Sequence, residues 1–499
     1  MELNKALEAL RDLESTLAVC RHAIGVLSYD GETIAPRNSA VGRGKTTAYL
    51  AGIEHELLTG AKTRDLIDTL SASADQLDDC TRRRVTLIRR DADDLTLIPA
   101  KEYMDYQQLL AEASGVWHVA KPANDYAAFA PYLERIIDYN IRYAQRKDPT
   151  KAPYDVLLDT YEEGACMADL DPFFDLLRTE LTPLILEIKG RPRPDDSFLH
   201  GCFPIERQRA FSDRLMALMQ LNRDDCSIGE TEHPFTEGLN KHDVRITTHY
   251  FENDVTASMF SVIHEGGHAM YELGSGDELE GTYAAGGSTT GIHESQSRFY
   301  ENLIGRSEAF CHAVLPIMQE LFPAQLQGVT PQMLYRAFNV AEPSLIRTEA
   351  DELTYGLHVL VRYELEKRML SGALKVKDIP GEWNRLMHEV LGVTVPDDRR
   401  GALQDTHWAS GLVGYFPSYA LGSAYGVQML ERMQQDMDVY ALVAKGDIAP
   451  ITAWLRQRLH RYGKLYAPAD VFKNVFEAPF DPSKYTTYLK DKFSALYGL

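Results

Sequence analysis

The amino-acid sequence predicts a mainly α-helical protein with a small β-sheet, and two patterns support this prediction. Apolar residues recur at three- and four-residue steps through most of the chain, beginning with residues 2–27, as in helices buried on one face. The stretch HDVRITTHYF (242–251) alternates instead and places three β-branched residues and an aromatic on one face, as in a strand. The helical pattern returns in residues 101–117, 127–145, 171–189, 206–221, 295–304, 342–370 and 424–436.

The composition is that of one large globular body. The chain has 499 residues, of which 44% are hydrophobic and 25% charged, so it can bury a sizeable core. It contains no internal repeat, low-complexity tract or polar linker that would mark a boundary, and we predict a single domain over residues 1–499. The formal net charge of -21 argues against nucleic acid or an anionic membrane as the main partner, because both favour a basic surface.

The six cysteines predict a reducing compartment. They are scattered along the chain and form no CxxC unit, which argues against a zinc knuckle or a thioredoxin-like motif. The N-terminal stretch MELNKALEALRDLE is charged and amphipathic and has no apolar signal core, and no run of 18 apolar residues occurs. We therefore expect a cytoplasmic protein.

The stretch SVIHEGGHAMYELG (261–274) predicts a metal-binding helix. We predict a helix over residues 254–273, capped by Asp254 or Asn253 and ended by Gly274. In a helix, side chains four positions apart lie on one face. His264 and His268 can therefore bind one metal ion, and the adjacent Glu265 can take a proton from a metal-activated water.

Two glycines interrupt this motif. Gly266 and Gly267 should each cost about 1 kcal/mol relative to alanine inside a helix. We expect a compensation, in which a neighbouring backbone comes close to the helix, such as the strand at 243–247 or the substrate.

Glu294 is the best candidate for the third metal ligand. The metzincin extension is excluded, because its glycine and histidine positions hold Tyr271 and Gly274. A glycine-rich loop (274–288) leads instead to a predicted helix (289–305) with His293 and Glu294 in its first turns. The carboxylate of Glu294 could alternatively serve only the helix N-terminus. Weaker candidates for the third ligand are Glu272, Glu278 and Glu280.

Two later segments offer groups for polarising a carbonyl and for holding an anion. A predicted helix over 343–370, with Pro343 in its first turn, carries a stripe of Arg347, Asp351, Thr354, Tyr355 and His358, which is either a solvated face or a cleft wall. The segment 401–426 is rich in small residues. Its His407, Tyr415, Tyr419 and Tyr425 could donate hydrogen bonds to an oxyanion or pack in an aromatic core.

The stretch SAVGRGKTT (39–47) ends like a phosphate-binding loop but fails the motif. The glycine required five residues before Gly44 is Ser39, and no apolar strand precedes it. We do not expect nucleotide binding there.

Six motifs follow one another along the chain: HPF (233–235), DVRIT (243–247), HEGGH (264–268), HESQSR (293–298), IRTEAD (346–351) and GALQDTHW (401–408). This set resembles the motifs of the thermostable, carboxypeptidase Taq-like zinc metallocarboxypeptidases. The order of the motifs and the chain length of about 500 residues also match that family. One departure is YDGET (29–33), where Tyr29 stands in place of the usual tryptophan.

The resemblance implies a mainly helical body of the gluzincin type with a deep active-site cleft, commonly a homodimer, that removes C-terminal residues from peptides with broad specificity. It implies Zn²⁺, or Co²⁺, bound by His264, His268 and Glu294, with water activated by the metal and Glu265. Further implied roles are peptide-carboxylate binding by Arg347 and Arg245, and oxyanion or substrate contacts by His407, Tyr415 and Tyr419.

Two rival functions stay open at this point. An oligoendopeptidase or a dipeptidyl carboxypeptidase on the same scaffold would share the metal site. A non-enzymatic metal-binding protein would not need Glu265 between the two histidines, and the presence of that residue counts against it.

Overall fold

The structure, a computed structural model, describes residues 2–499 and is mainly helical. The helices before the sheet are α1 (Leu3–Thr33), α2 (Ala40–Thr59), α3 (Ala61–Ala72), α4 (Asp79–Leu97), α5 (Ala100–Ala123), α6 (Tyr126–Lys147), α7 (Pro153–Tyr161), α8 (Met167–Ile188) and α9 (Ile205–Leu218).

The central part of the chain carries the sheet and the two helices that follow it. Its elements are β1 (Cys226–Glu230), β2 (Thr236–Asn240), β3 (Asp243–Thr248), α10 (Val255–Leu273) and α11 (Thr290–Arg298), which continues as a π-helical segment, Phe299–Gly305.

The remaining elements are all helical. They are α12 (Glu308–Leu321), α13 (Pro331–Phe338), α14 (Glu352–Leu370), α15 (Ile379–Leu391), α16 (Pro417–Gln434), α17 (Val439–Ala444), α18 (Ala449–Arg458), α19 (Pro468–Val471) and α20 (Pro482–Tyr497).

The sheet has three strands in the order β1-β3-β2. β3 pairs with β1 in parallel and with β2 in antiparallel fashion. Val244 and Ile246 are fully buried, as the alternation predicted. Thr247, on the other face, is buried as well, and its hydroxyl is satisfied there by donating to the carbonyl of Phe235. The strand predicted over 242–251 is thus present in a shorter form.

The predicted HExxH helix is confirmed as α10. The carboxylate of Asp254 accepts hydrogen bonds from the backbone N–H groups of Thr256 and Ala257, which satisfies two donors that a helix start leaves unpaired. Gly274 lies at the C-terminal cap, as predicted. The small sheet directly precedes this helix, so the predicted fold class is confirmed.

The helix predicted over 343–370 is wrong in its first nine residues. Arg347–Glu349 form a single 3-10 turn, and α14 begins only at Glu352. The reason is local, because the Asp351 carboxylate accepts from the backbone N–H groups of Leu353 and Thr354 and so caps the helix there. Arg347 consequently lies on the approach to the helix and does not share a helical stripe with His358.

Two separate clusters of buried apolar side chains stabilise the molecule. The large one extends through helices α5 to α20 and includes the buried face of the sheet. The small one lies among α1, α2, α3 and α4 and also contains Tyr283, which belongs to the loop between α10 and α11. The prediction of a single domain stays a prediction.

Two predictions about the surface can be compared with the structure. The P-loop-like residues Gly44 and Lys45 lie inside α2 and form no phosphate-binding turn. No helix within residues 2–499 combines the length with the apolar composition that a bilayer crossing requires.

Candidate active site

α10 and α11 together form a cluster of three potential metal ligands. The Nε2 atoms of His264 and His268 lie 3.8 and 3.5 Å from one carboxylate oxygen of Glu294. One ligand atom from each residue lies within 4.8 Å of the other two. Two imidazoles and a carboxylate are a donor set that suits Zn²⁺ and other transition metals, so the three side chains fit the predicted metal site.

Close packing of three helices places Glu294 beside the histidines. A Cβ atom on Gly267 of α10 would lie 2.6 Å from the backbone oxygen of Gln296 on α11. On the opposite side, a Cβ atom on Gly422 of α16 would lie 2.6 Å from Cγ of Glu294. Only residues without a side chain permit these approaches, so α11 is held tightly between α10 and α16.

The predicted compensation for the two motif glycines is therefore present, but with a different neighbour. Gly267 faces the backbone of α11 and not the strand at 243–247. Gly266 faces side chains, because its Cβ would meet Met219 at 2.7 Å and Leu221 at 3.2 Å.

A buried ionic network surrounds the carboxylate of Glu294. Its second oxygen accepts from Arg298 at 2.7 Å, and Arg298 also donates to Glu301 at 3.0 Å. Burial alone would raise the pKa of Glu294, but the charges of Arg298 and His264 outweigh it and hold the pKa below its ordinary value. Glu294 is thus an anion that can act as a ligand.

Glu301 orients the first histidine. Its carboxylate accepts from Nδ1 of His264 at 2.8 Å, which leaves Nε2 facing Glu294. A carboxylate behind a metal-binding imidazole fixes its tautomer and raises its basicity. Glu301, which lies in the π-helical segment, was not predicted from the sequence. The available indication was a carboxylate within the largely apolar FYENLIG.

Glu265 lies on the side of α10 that faces β2. Its side chain is buried, and one carboxylate oxygen accepts from the hydroxyl of Thr236 at 2.7 Å. The Thr236 hydroxyl also contacts the backbone carbonyl of the same glutamate at 3.0 Å. Thr236 begins the edge strand of the sheet, so the strand anchors the proposed proton acceptor next to the two histidines.

Arg347 is held in place by a second buried ionic cluster. Its Nε and Nη2 both donate to one oxygen of Asp405 at 3.0 Å, and its Nη1 donates to the Tyr355 hydroxyl at 2.9 Å. The other oxygen of Asp405 accepts from Arg362 at 2.7 and 2.9 Å. One carboxylate thus lies between two guanidinium groups and leaves a net positive charge. Sequence analysis quoted Asp405 within GALQDTHW but gave it no role.

This second cluster adjoins the metal-ligand cluster. Arg298, which binds Glu294, lies over the ring of Tyr355 at 4.3 Å, and the hydroxyl of Tyr355 binds Arg347. Arg347 in turn lies 4.8 Å from the ring centroid of Tyr419. A chain of charge and aromatic contacts therefore connects the candidate ligand to the candidate carboxylate-binding arginine.

Three further predicted side chains meet beside Arg347. Nε2 of His407 lies 3.1 Å from the hydroxyl of Tyr419, and the rings of Tyr415 and Tyr419 pack edge to face at 5.4 Å. Burial lowers the pKa of His407 to about 4 and raises the pKa of Tyr415 to about 12. At neutral pH the imidazole is therefore uncharged and the Tyr415 phenol keeps its proton, so both are available as neutral hydrogen-bonding groups.

Arg245 lies in a different setting. It forms a bidentate pair with Asp243, at 2.7 and 2.8 Å, and its guanidinium lies 5.2 Å from the ring centroid of Tyr29 on α1. Arg245 is thus linked to α1, and Glu265 faces β2. The other seven predicted site residues lie in the two adjoining clusters or beside them: His264, His268, Glu294, Arg347, His407, Tyr415 and Tyr419.

A cavity extends to Glu272 near the C-terminal end of α10. Its volume is about 710 Å³, and its walls come from α1, from β2 and from the loop between α10 and α11. Glu272, one helical turn after His268, contributes to its lining.

A helical body with a small sheet before an HExxH helix, and a glutamate from the next helix beside both histidines, defines a metallopeptidase. The comparisons with known proteins agree. The family model described as carboxypeptidase Taq (M32) metallopeptidase matches residues 9–493. Carboxypeptidase 1 of Bacillus subtilis (strain 168) is 37% identical over 501 residues, which cover 100% of both chains. Thermostable carboxypeptidase 1 of Pyrococcus furiosus is 35% identical over 95% of each chain.

A solved structure shares the fold over nearly the whole chain. The M32 carboxypeptidase from Deinococcus radiodurans R1 superposes with a TM-score of 0.96, at 35% identity, and covers 99% of this chain and 100% of that one. The chain belongs to the carboxypeptidase Taq (M32) metallopeptidase family. The predicted family and the prediction of a metallocarboxypeptidase are confirmed, and the family implies a divalent metal.

Proposed function

We propose that the protein is a zinc-dependent carboxypeptidase that removes single residues from the free C-terminus of peptides with broad specificity. The observation that carries this proposal is the position of Glu294 beside His264 and His268, with Glu265 directly after His264 in the motif. When bound by these three ligands, Zn²⁺ or Co²⁺ would supply Lewis-acid activation of water and of the scissile carbonyl.

Glu265 is the proposed proton carrier of the reaction. Its carboxylate accepts the proton of the attacking water and delivers it to the departing amine, so one side chain acts as base and then as acid. The hydrogen bond from Thr236 fixes the orientation of the carboxylate.

The residues around Arg347 are proposed to recognise the end of the peptide. The guanidinium of Arg347, oriented by Asp405, would bind the terminal carboxylate. Tyr415, Tyr419 and His407 are proposed donors to the oxyanion or to the substrate backbone, since burial keeps the phenol of Tyr415 protonated and the imidazole of His407 neutral. Arg245, on the α1 side, is the second proposed residue for binding the terminal carboxylate.

We further propose a cytoplasmic homodimer that needs neither nucleic acid nor membrane. All six cysteines are free thiols, which suits a reducing compartment. The net charge of -21 disfavours polyanionic partners. The homodimer is proposed because the family resemblance implies one.

The mass spectrum of peptide products tests the proposed specificity. We expect the zinc-loaded protein to convert a short peptide with a free C-terminus into a ladder that shortens by one residue at a time. A ladder of two-residue steps would identify a dipeptidyl carboxypeptidase, and internal fragments would identify an oligoendopeptidase.

The variant Glu265→Gln tests the proposed chemistry. We expect it to bind zinc as the wild type does and to lose about 10²- to 10⁴-fold in kcat, which is the usual contribution of general acid–base catalysis. Metal content measured on the same sample separates loss of the proton carrier from loss of the metal. Full activity in the zinc-loaded variant would refute the role of Glu265.

A further inference from the structure

His293 connects the second candidate ligand to a carboxylate. Its Nδ1 lies 2.6 Å from Nδ1 of His268, and its Nε2 lies 2.8 Å from one oxygen of Glu272. The backbone N–H of Gly287 donates to the same oxygen at 2.9 Å. The three side chains thus form a hydrogen-bonded chain from the metal-ligand cluster to the lining of the cavity.

Metal binding through Nε2 of His268 would set the direction of this chain. That nitrogen faces Glu294 and must keep its lone pair for the metal, so the ring proton of His268 is on Nδ1, which donates to Nδ1 of His293. The ring proton of His293 is then on Nε2, which donates to the carboxylate of Glu272.

We propose that His293 and Glu272 are positioning residues for the metal site, which we name the relay. The relay holds His268 in the tautomer and ring orientation that a metal requires. This inference rests on the proposed metal site at His264, His268 and Glu294, and it goes beyond it by assigning a function to two side chains outside that ligand set.

The loop before α11 is built to leave room for the relay. A Cβ atom on Gly287 would collide with the ring of His293, and one on Gly286 would lie 2.8 Å from an oxygen of Glu272. Gly286 also has φ of +79°, a backbone conformation that favours glycine. The glycine pair therefore brings backbone against both relay residues, and Tyr271 packs on His293 at 5.2 Å.

The two ligand histidines are oriented in different ways. His264 donates directly to the carboxylate of Glu301, whereas His268 reaches a carboxylate only through a second imidazole. Outer partners of this kind typically contribute about 10- to 100-fold to metal affinity. The relay predicts that removing the acceptor for His268 weakens metal binding by a factor in that range.

Zinc affinity, measured by competition with a chelator, tests the relay. We expect His293→Phe to bind Zn²⁺ about 10- to 100-fold more weakly than the wild type, because Nδ1–H of His268 loses its acceptor. His293→Asn should restore most of the affinity, since its Oδ1 can replace Nδ1. His293→Gln should not, because it can keep only the contact with Glu272.

A spectroscopic measurement accompanies the affinities. In Co²⁺-loaded protein, the visible bands of His293→Phe should shift relative to the wild type, because the ring of His268 is no longer oriented, and those of His293→Asn should remain close to the wild type. The Asn and Gln pair gives an answer even where the Phe variant does not fold.

His460→Phe is the matched structural control. His460 is buried and packs on the same Tyr271, at 5.1 Å, but it binds Gln296 and contacts no candidate ligand directly. We expect its zinc affinity to stay within about twofold of the wild type. Equal affinities and spectra for wild type, His293→Phe and His293→Gln would overturn the relay alone. A wild type without stoichiometric zinc binding would overturn the proposed function and the relay together.

Discussion

Arg347 combines deep burial with an incomplete set of partners. Its side chain is only 5% exposed, and three of its N–H groups are used by Asp405 and Tyr355. A guanidinium has five donors, so two remain for a ligand. Because Asp405 is shared with Arg362, its charge neutralises the two arginines only in part. An anion that binds Arg347 would therefore meet an oriented and weakly hydrated cation.

The variant Arg347→Ala should lose recognition of the peptide C-terminus. We expect kcat/KM for a peptide with a free carboxylate to fall by about 100-fold or more, which is typical of removing one partner of a buried charge pair. Any residual cleavage of the matching C-terminally amidated peptide should change much less. Comparing both substrates on one preparation checks this, and an equal fall for the two would contradict the role of Arg347.

A second buried group, Glu162, should make stability depend on pH. Burial raises the pKa of Glu162 from 4.5 to about 7, and its carboxyl accepts from the backbone N–H of Gly291 near the start of α11. The folded protein therefore holds this proton more tightly than the unfolded chain. The resulting stabilisation is fully present below about pH 4.5 and is lost as the pH rises through 7.

The variant Glu162→Gln isolates this effect. Glutamine keeps the acceptor for Gly291 but cannot ionise. The shift of 7 − 4.5 = 2.5 pKa units corresponds to at most about 3 kcal/mol of unfolding free energy. We expect the stability of the wild type relative to the variant to fall by roughly 2 kcal/mol between pH 5 and pH 8 in denaturant titrations. A pH-independent difference would show that Glu162 does not titrate in this range.

At the residue scale the sequence predicts ligands better than it predicts their partners. His264 and His268 could be predicted to bind one metal ion, because helical spacing alone brings positions i and i+4 onto one face. Glu301, Glu272 and Asp405 could not be assigned, because their roles depend on which helices pack together. Such contacts join residues that are distant along the chain, and no local pattern specifies them.

At the scale of elements, α11 is the helix on which the candidate site depends. It carries Glu294, and it is fixed on one side by Gly267 of α10 and on the other by Gly422 of α16. Gly422 belongs to the segment 401–426, which the sequence shows to be rich in small residues, and its lack of a side chain permits this arrangement. The start of α14 could not be predicted correctly, since a proline at 343 and a capping aspartate at 351 are both plausible helix starts.

The variants Gly267→Ala, Gly266→Ala and Gly52→Ala should form a graded series. At Gly267 the new Cβ meets backbone at 2.6 Å, which cannot move without separating α10 from α11, so we expect a loss of several kcal/mol in stability and weaker zinc binding. At Gly266 it meets the flexible Met219 side chain, and the loss should be smaller. At Gly52, an open position on α2, alanine should be neutral or stabilise by up to about 1 kcal/mol.

Thermal unfolding and zinc titration of the three variants check this order. The substitution is chemically identical in all three, so differences in helix propensity cancel and the contact made by the added methyl group remains. Equal stability and zinc affinity for the variants at 266 and 267 would contradict a tight backbone contact between α10 and α11.

At the scale of the whole molecule, Tyr283 anchors the loop between α10 and α11 to the small hydrophobic core. Tyr283 extends from the loop between α10 and α11 into the small core among α1, α2, α3 and α4. Its hydroxyl binds Arg21 at 2.8 Å and also contacts Asp91, while its backbone N–H donates to the buried Glu14 at 3.0 Å. The loop that follows the metal-binding helix is therefore anchored to the N-terminal helices, and Glu14, Arg21 and Tyr283 all line the cavity of about 710 Å³.

The variant Tyr283→Ala should loosen the N-terminal helices without unfolding the rest of the molecule. Loss of a buried aromatic side chain typically costs about 3–5 kcal/mol, and here that cost falls on the small core. We expect faster amide hydrogen exchange in residues 3–97 and unchanged protection in α10, α11 and α16. Tyr49→Ala is the matched control, because Tyr49 lies on α2 but is 72% exposed and should leave exchange as it is. If Tyr283→Ala instead raised exchange equally in both clusters, the two would unfold as one unit, and the cost of the substitution would not be confined to the small core.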